Sequence, residues 1–156
     1  MKVQTHAIRA LDALGIPYRL VTQAHETRHV EDTAAERGTP LEQVAKTLLV
    51  RRPDGKHLLA LVRGDQRLSL KKLARLAGVK LLEMAPLDDV PRITGYQVGA
   101  VSPFGQRRSD IPFYVDQHIL EVPAVGVSAG RHNAGIELAP ADLVRGVNGR
   151  VADITE

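Results

Sequence analysis

The strongest constraint on the fold lies in the middle of the chain, where two β-type runs flank a turn. The runs cover residues 47–51 and 57–63, and the segment between them contains Pro53-Asp54-Gly55. Short runs rich in leucine and valine on either side of an Asp-Gly turn are typical of an antiparallel hairpin. The sequence therefore predicts a sheet that includes this hairpin.

Helical spacing and terminal signals predict helices on both sides of the hairpin. Ser69 is a typical N-cap for a basic helix that Gly78 ends. Thr33 and Thr39 begin two further capping patterns, and Gly38 ends the first of these helices. The predicted helices cover residues 7–14, 33–37, 40 onward, 70–77, 86–92 and the segment after Pro140.

Further β-type runs predict short strands with short connections. They cover residues 18–21, 79–84, 98–101, 113–115, 124–127, 136–138 and the neighbourhood of Val151. Strands outnumber helices, which favours an α/β (α+β-like) fold: a mixed, largely antiparallel sheet, curled or barrel-like, surrounded by helices. The length of 156 residues fits one domain spanning 1–156.

Composition excludes several classes of function. The chain has no cysteine, which rules out disulfides, thiolate catalysis and cysteine-bound zinc. Three tyrosines and two phenylalanines are too few for the stacking platform of a single-strand binder. The net charge of +3 suits contact with a few phosphates without establishing nucleic-acid binding.

Two features bear on location. No apolar run approaches the roughly 18 residues of a membrane helix. The N-terminus enters an amphipathic pattern at once, without the apolar stretch of a signal peptide. We therefore expect a cytoplasmic protein with no membrane partner.

Residues 25–29 spell His-Glu-Thr-Arg-His, the H-E-x-x-H pattern of zinc peptidases. That pattern binds zinc when a helix places both histidines on one face, with the glutamate as general base. Here the flanks favour a strand end and a turn. Glu36 and Glu42 are conceivable third ligands, but neither lies on an obvious second helix. A surface loop with histidines is the favoured interpretation, no metal site is expected, and a metallopeptidase is the alternative.

Lys46 is the one charged residue in the apolar run 45–50. Strand alternation puts it on one face with Leu48 and Val50, while Thr47 and Leu49 share the other face. If the Lys46 face is the core, the ammonium is partly desolvated and needs a partner or a ligand. The alternative is that Lys46 begins the strand and extends its head to water.

The sequence around Lys46 resembles the V-x-K-T-L-L-V of the YbaK/EbsC family, which is related to the editing domain of bacterial prolyl-tRNA synthetases. The resemblance continues through residues 70–74, 83–85 and 94–106, where Gly99 to Pro103 match a G-x-x-x-P loop. It ends with residues 127–130 and 136–143, which resemble V-S-G-G and I-E-L-x-x-x-D-L. These segments occur in matching order along essentially the whole chain.

The resemblance implies hydrolysis of the ester that joins a wrong amino acid to the 3′ end of a tRNA, with Cys- or Ala-tRNA(Pro) as the usual substrates. It implies no cofactor and no covalent nucleophile. The implied partners are the tRNA acceptor end and a prolyl-tRNA synthetase, and we expect a monomer or weak homodimer. The attacking group, a water or the tRNA 2′-hydroxyl, stays open.

The resemblance also implies roles for individual residues. Lys46 would hold the terminal phosphate or the substrate carbonyl, and Gly99 would bind the ester through its backbone. The remaining implied substrate-binding residues are Gln23, His25, Thr47, Ser102, Pro103, Ser128, Ala129, Gly130 and Gly135.

Three of these positions depart from the family pattern. Ala129 replaces the first glycine of V-S-G-G, Gly135 replaces an aspartate, and Gln23 aligns with a tyrosine. A cysteine preference therefore does not carry over, and a non-catalytic tRNA- or synthetase-binding module on the same fold is the alternative function.

Overall fold

The computed structural model describes residues 3–156, which form five α-helices and eight strands. The helices are α1 (His6–Leu14), α2 (Val30–Arg37), α3 (Leu70–Ala77), α4 (Asp89–Thr94) and α5 (Pro140–Val147). The strands are β1 (Arg19–Thr22), β2 (Ala45–Arg51), β3 (His57–Arg63), β4 (Glu83–Met84), β5 (Phe113–Asp116), β6 (Val125–Arg131), β7 (Ala134–Leu138) and β8 (Arg150–Ala152).

The strands form two sheets. The larger sheet has the order β4-β2-β3-β5-β8, in which the β2–β3 hairpin is antiparallel and the β3–β5 and β5–β8 pairs are parallel. The smaller sheet has the order β1-β7-β6 and is antiparallel throughout. A single parallel bridge, Val44 to Gly126, joins the start of β2 to β6.

The helices cover the faces of these sheets. Apolar residues of α1 and α5 pack with the inner face of β6 and β7, where Val125, Val127 and Ile136 are buried. The larger sheet is covered by α3 on one face and by α4 on the other. Residues 57–62 of β3 are all buried, as expected for a strand covered on both faces.

The structure confirms the predicted class, a mixed α/β fold with antiparallel pairing, but the sheets do not close into a barrel. The central hairpin and α3 occur where the sequence predicts them. The Ser69 side chain accepts a hydrogen bond from the Lys72 backbone N–H, and Gly78 ends the helix in a left-handed conformation. Within residues 3–156, no helix is both long and apolar enough to cross a bilayer.

Two predicted helix starts are wrong. Thr33 lies inside α2, which begins at Val30 with acidic residues in its first turn, and its hydroxyl bonds to Thr27 instead of capping the helix. Thr39-Pro40 precedes only one 3₁₀ turn, Leu41–Gln43, because Val44 is already extended as it enters β2.

The segments 79–84 and 98–101 were predicted as strands, and the structure differs at both. Only Glu83–Met84 is strand, because pairing with β2 reaches no further than Val50 and Arg51. Residues 98–101 form a loop in which Gly99 has a φ of +83° and Ala100 N–H bonds to the Gln97 carbonyl. A positive φ is incompatible with extended strand geometry.

We expect Tyr96→Phe to destabilise the protein by about 1–2 kcal/mol, because it leaves a buried carbonyl without its donor. The Tyr96 hydroxyl donates to the Phe104 carbonyl at 2.5 Å and spans the loop between them, and burial raises its pKa to about 12. Urea unfolding measures the loss. Tyr114→Phe is the matched control, since the Tyr114 hydroxyl has no hydrogen bond within residues 3–156; equal losses in both variants would contradict the prediction.

Candidate active site

A cavity opens where β2 changes its hydrogen-bonding neighbour. Val44 bridges to Gly126 of β6, whereas Val50 and Arg51 pair with β4. Between these points no strand of the described chain pairs with this edge of β2. The gap opens into a cavity of about 460 Å³, within the range of about 300–1,000 Å³ of small-ligand sites.

The free edge of β2 directs backbone groups of Thr47 into this gap. The Leu49 carbonyl accepts from Ala85 N–H at 3.0 Å on the side away from β3, and Leu59 N–H points away from β2 to Pro112. Because backbone groups alternate along a strand, Thr47 N–H and C=O point to the same side as those of Leu49. Thr47 therefore offers a donor and an acceptor to the cavity.

The Thr47 side chain adds a third polar group. Thr47 lines the cavity, and its buried Oγ1 has no hydrogen-bond partner within residues 3–156. A buried hydroxyl without a partner costs about 1–3 kcal/mol. This cost makes Thr47 the clearest place for a ligand to gain a hydrogen bond.

Lys46 also lines the cavity, and its ammonium is neither unpaired nor fully in water. Its Nζ donates to the Gln66 carbonyl at 2.7 Å. Burial lowers the pKa of Lys46, and the negative charge of Glu31 is the strongest influence that opposes this shift. Two of its three N–H donors remain for a ligand.

The loop 98–101 closes one wall of the cavity because Gly99 fits closely against the chain at Arg28. A Cβ at residue 99 would lie 3.0 Å from both Cβ and O of Arg28, and φ is +83°. The His132 Nε2–H donates to the Val98 carbonyl at 2.9 Å and holds the loop from the other side. Glycine is therefore required here by both conformation and space.

Several residues that the resemblance implies lie outside the cavity lining. Ser102 and Pro103 are buried beneath the loop, where Ser102 Oγ accepts from Phe104 N–H at 3.3 Å. Ala129 is buried in the core, and Gly130 packs against the Tyr96 ring. These four residues shape the loop and strand that carry Gly99 and Ser128.

Ser128 lines the cavity from β6. Residues 126–130 spell Gly-Val-Ser-Ala-Gly, so the expectation that the sequence holds no G-x-S-x-G of hydrolase nucleophiles is wrong at the level of the pattern. A nucleophile elbow is a sharp strand-to-helix turn, whereas Ser128 lies within a strand. Its Oγ accepts from Gly130 N–H at 3.0 Å, and within residues 3–156 no histidine bonds to it.

The H-E-x-x-H motif is not helical, so it lacks the geometry that zinc peptidases need. His29 is the N-cap of α2, and His25 lies in the turn before it. His25 Nδ1 contacts Glu36 at 3.0 Å. Within residues 3–156, no three histidine or carboxylate side chains are grouped to hold a metal ion.

Gln23 and Gly135 meet at a residue that sequence reasoning missed, Arg37. The Arg37 Nε donates to Gln23 Oε1 at 2.7 Å, and its guanidinium lies over Gly135 and lines the cavity. In the sequence Arg37 is an ordinary basic residue in the last turn of a helix. The departures at positions 23 and 135 were the only signal that pointed to it.

The lining combines basic and apolar residues. Glu31 is its one acidic residue, against six basic or histidine residues: Arg28, His29, Arg37, Lys46, Arg131 and His132. Met84, Leu87 and Val98 form an exposed apolar lip of the same lining, and Leu87 is 70% exposed. Such a cavity suits a ligand with both anionic and flat apolar parts.

Comparisons with known proteins show which proteins this chain resembles. A family model described as an aminoacyl-tRNA editing domain matches residues 24–145. The chain is 34% identical over 154 residues to the Enterococcus faecalis protein named "Putative Cys-tRNA(Pro)/Cys-tRNA(Cys) deacylase EbsC", covering 97% of this chain and 93% of that protein.

Two further relatives connect the fold to prolyl-tRNA synthetases. The proline–tRNA ligase of Geobacter sulfurreducens is 46% identical over 78 residues, which span 50% of this chain and 14% of the ligase. A crystal structure described as "a putative trans-editing enzyme for prolyl tRNA synthetase" has a TM-score of 0.88 at 30% identity and covers 99% of both chains.

We expect the Lys46 side chain to titrate below its ordinary pKa of 10.5, and Glu31→Gln to lower that pKa further. Burial disfavours the ammonium, and the variant removes the negative charge that stabilises it. The Lys46 side-chain NMR signals followed against pH measure both values. A higher pKa in Glu31→Gln would show that the two side chains do not interact as the structure indicates.

Proposed function

The chain belongs to the aminoacyl-tRNA editing domain family, and on that premise we propose that it hydrolyses the ester bond of mischarged tRNA in trans. The observation that carries the proposal is the convergence of four residues on one cavity. Lys46, Thr47, Gly99 and Ser128 come from distant parts of the sequence, and the resemblance had implied a substrate role for each.

The chemistry does not require a covalent nucleophile. An aminoacyl ester is already activated, so a positioned water or the tRNA 2′-hydroxyl can attack its carbonyl carbon. The attack turns the carbonyl oxygen into an oxyanion, which fixed N–H donors stabilise before the bond to the ribose oxygen breaks. The unactivated Ser128 is consistent with such a mechanism.

The free backbone groups supply the donors in this proposal. The Thr47 N–H and the backbone of the Gly99 loop bind the ester, and the Thr47 hydroxyl orients the attacking group. Lys46 binds the phosphate of the terminal nucleotide with the donors that its bond to Gln66 leaves available.

The cavity dimensions and lining suit the 3′ end of tRNA that carries a small amino acid. The basic residues of the lining fit the phosphates, and the apolar lip of Met84, Leu87 and Val98 fits the terminal adenine. Small amino acids escape a synthetase pocket because one methylene discriminates by only about 1–3 kcal/mol. Cysteine, alanine and serine on tRNA(Pro) are therefore the substrates to test first.

The relatives' names also support a prolyl-tRNA synthetase as a functional partner. A free-standing editing domain would receive mischarged tRNA that the synthetase releases. We propose that the protein acts in the cytoplasm, where tRNA is charged, as a monomer or weak homodimer.

We expect Lys46→Ala to lower kcat/KM for deacylation of mischarged tRNA(Pro) by roughly 10- to 100-fold, the typical worth of a charged hydrogen bond. The assay follows release of the labelled amino acid from the alanyl-, cysteinyl- and seryl- forms. Lys71→Ala, an equal charge change on the exposed face of α3, is the control. If the wild-type protein binds all three tRNAs and hydrolyses none, the chain is a non-catalytic binding module.

We expect tRNA affinity to fall about tenfold or more between 50 and 200 mM salt, because phosphate contacts release counterions. Fluorescence anisotropy with a labelled acceptor stem measures this dependence. Arg28→Gln, which removes one exposed charge from the lining, should reduce the slope by the equivalent of about one contact. A salt-independent affinity would contradict phosphate-driven binding.

A further inference from the structure

Arg37 brings a fixed positive charge into the cavity without a counter-ion. Its Nε donates to Gln23, but within residues 3–156 its two terminal nitrogens have no hydrogen-bond partner and no carboxylate within 4.0 Å. Glu137 is the carboxylate whose charge acts on it, and Glu137 is itself paired with Arg19. Arg37 is partly buried, and this desolvation lowers its pKa.

The sheet beneath Arg37 leaves space for its guanidinium. A Cβ at Gly135 would lie 2.6 Å from Arg37 Cζ, and the three atoms closest to that position all belong to the Arg37 guanidinium. The Cβ position of Gly126 on the neighbouring strand lies 4.0 Å from Arg37 Nη1, an ordinary van der Waals distance. Gly135 therefore leaves the space that the guanidinium occupies, and the pairing of Gly135 with Ser128 puts that space beside Ser128.

Gln23 fixes the direction of the guanidinium. Its Oε1 accepts from Arg37, while its Nε2 donates to the Thr27 hydroxyl at 2.9 Å and to the His25 carbonyl at 2.8 Å. Thr27 is bonded in turn to Thr33 on α2. This network leaves the terminal nitrogens of Arg37 as the free donors at its end of the cavity.

Electrostatics decides which part of an aminoacyl group can approach these donors. Every aminoacyl group carries an α-ammonium, which Arg37 repels and which Glu31, the one acidic residue of the lining, attracts. The α-ammonium therefore orients away from Arg37. The amino-acid side chain is then the substituent that faces the guanidinium.

We propose that Arg37, positioned by Gln23, selects aminoacyl side chains that end in an oxygen acceptor, so that seryl-tRNA is hydrolysed in preference to alanyl-tRNA. The inference rests on the proposed function. A hydroxyl oxygen accepts from the guanidinium, whereas a methyl group covers the donors and leaves them unpaired. Serine and alanine differ by this one oxygen, which makes them a matched pair of substrates.

The test compares kcat/KM for seryl- and alanyl-tRNA(Pro) made on the same transcript. We expect the wild-type protein to prefer the seryl substrate by roughly 10- to 100-fold. Arg37→Met keeps an apolar stem without the charge and should reduce the preference to near unity, mainly by slowing the seryl reaction. Gln23→Met should reduce it partly.

Gly135→Ala provides a variant that keeps the charge but displaces it. The three atoms nearest to its new methyl group all belong to the guanidinium at the end of a flexible side chain, so the fold should survive and the preference should fall. Arg131→Met, which removes another arginine of the lining, should slow both substrates equally. Thermal unfolding midpoints identify any variant that loses activity through misfolding.

Other outcomes distinguish a failure of the selection proposal from a failure of the proposed function. If Arg37→Met slows both substrates equally, Arg37 acts on the ester or a phosphate that both share, and the selection proposal is wrong. If the preference is unchanged in both Arg37→Met and Gly135→Ala, Arg37 is structural only. If the wild-type protein hydrolyses neither substrate nor cysteinyl-tRNA(Pro), the proposed function itself fails.

Discussion

The cavity depends on the way β2 shares its hydrogen bonds between two sheets. One edge of β2 is fully paired with β3, so the strand is fixed in position along its length. Its other edge bonds towards β6 at Val44 and to β4 at Val50, and the two sheets diverge between these points. A strand edge left open in this way normally invites aggregation, which the surrounding loop and helix prevent by enclosing it. The same enclosure turns unpaired peptide groups into ligand donors.

Local signals predicted the fold where the structure is locally determined. The hairpin and α3 follow from turn and capping residues that act within a few positions; β3 and α3 have the predicted bounds, and β2 begins two residues earlier than predicted, at Ala45. The incorrect predictions lie where contacts with distant parts of the chain determine the backbone conformation. The loop at Gly99 looks like a strand in its side-chain pattern, but it is held by Arg28 and His132 from other parts of the chain.

The residues of the candidate site also fall into those that the sequence marks and those that only the fold brings together. Lys46 was recognisable because a charge in an apolar strand is unusual, and Thr47 and Gly99 followed from the motifs around them. Arg37 was not recognisable, because nothing near it in the sequence marks it. Its place in the cavity depends on the space at Gly135, a residue far from it along the chain, and on a hydrogen bond to Gln23.

In the proposed mechanism, a site built from backbone groups separates the chemistry of the ester from the choice of amino acid. The N–H of Thr47 and the close approach at Gly99 are set by strand pairing and loop geometry, so changes of neighbouring side chains leave them in place. The wall at Gln23, Arg37 and Gly135 is made of side chains and of the space that glycine leaves. Substitutions in this wall alter the charge and shape that face the amino acid without moving the groups that face the ester. On this proposal, the departures from the family pattern at positions 23 and 135 bear on selectivity more than on the capacity for hydrolysis.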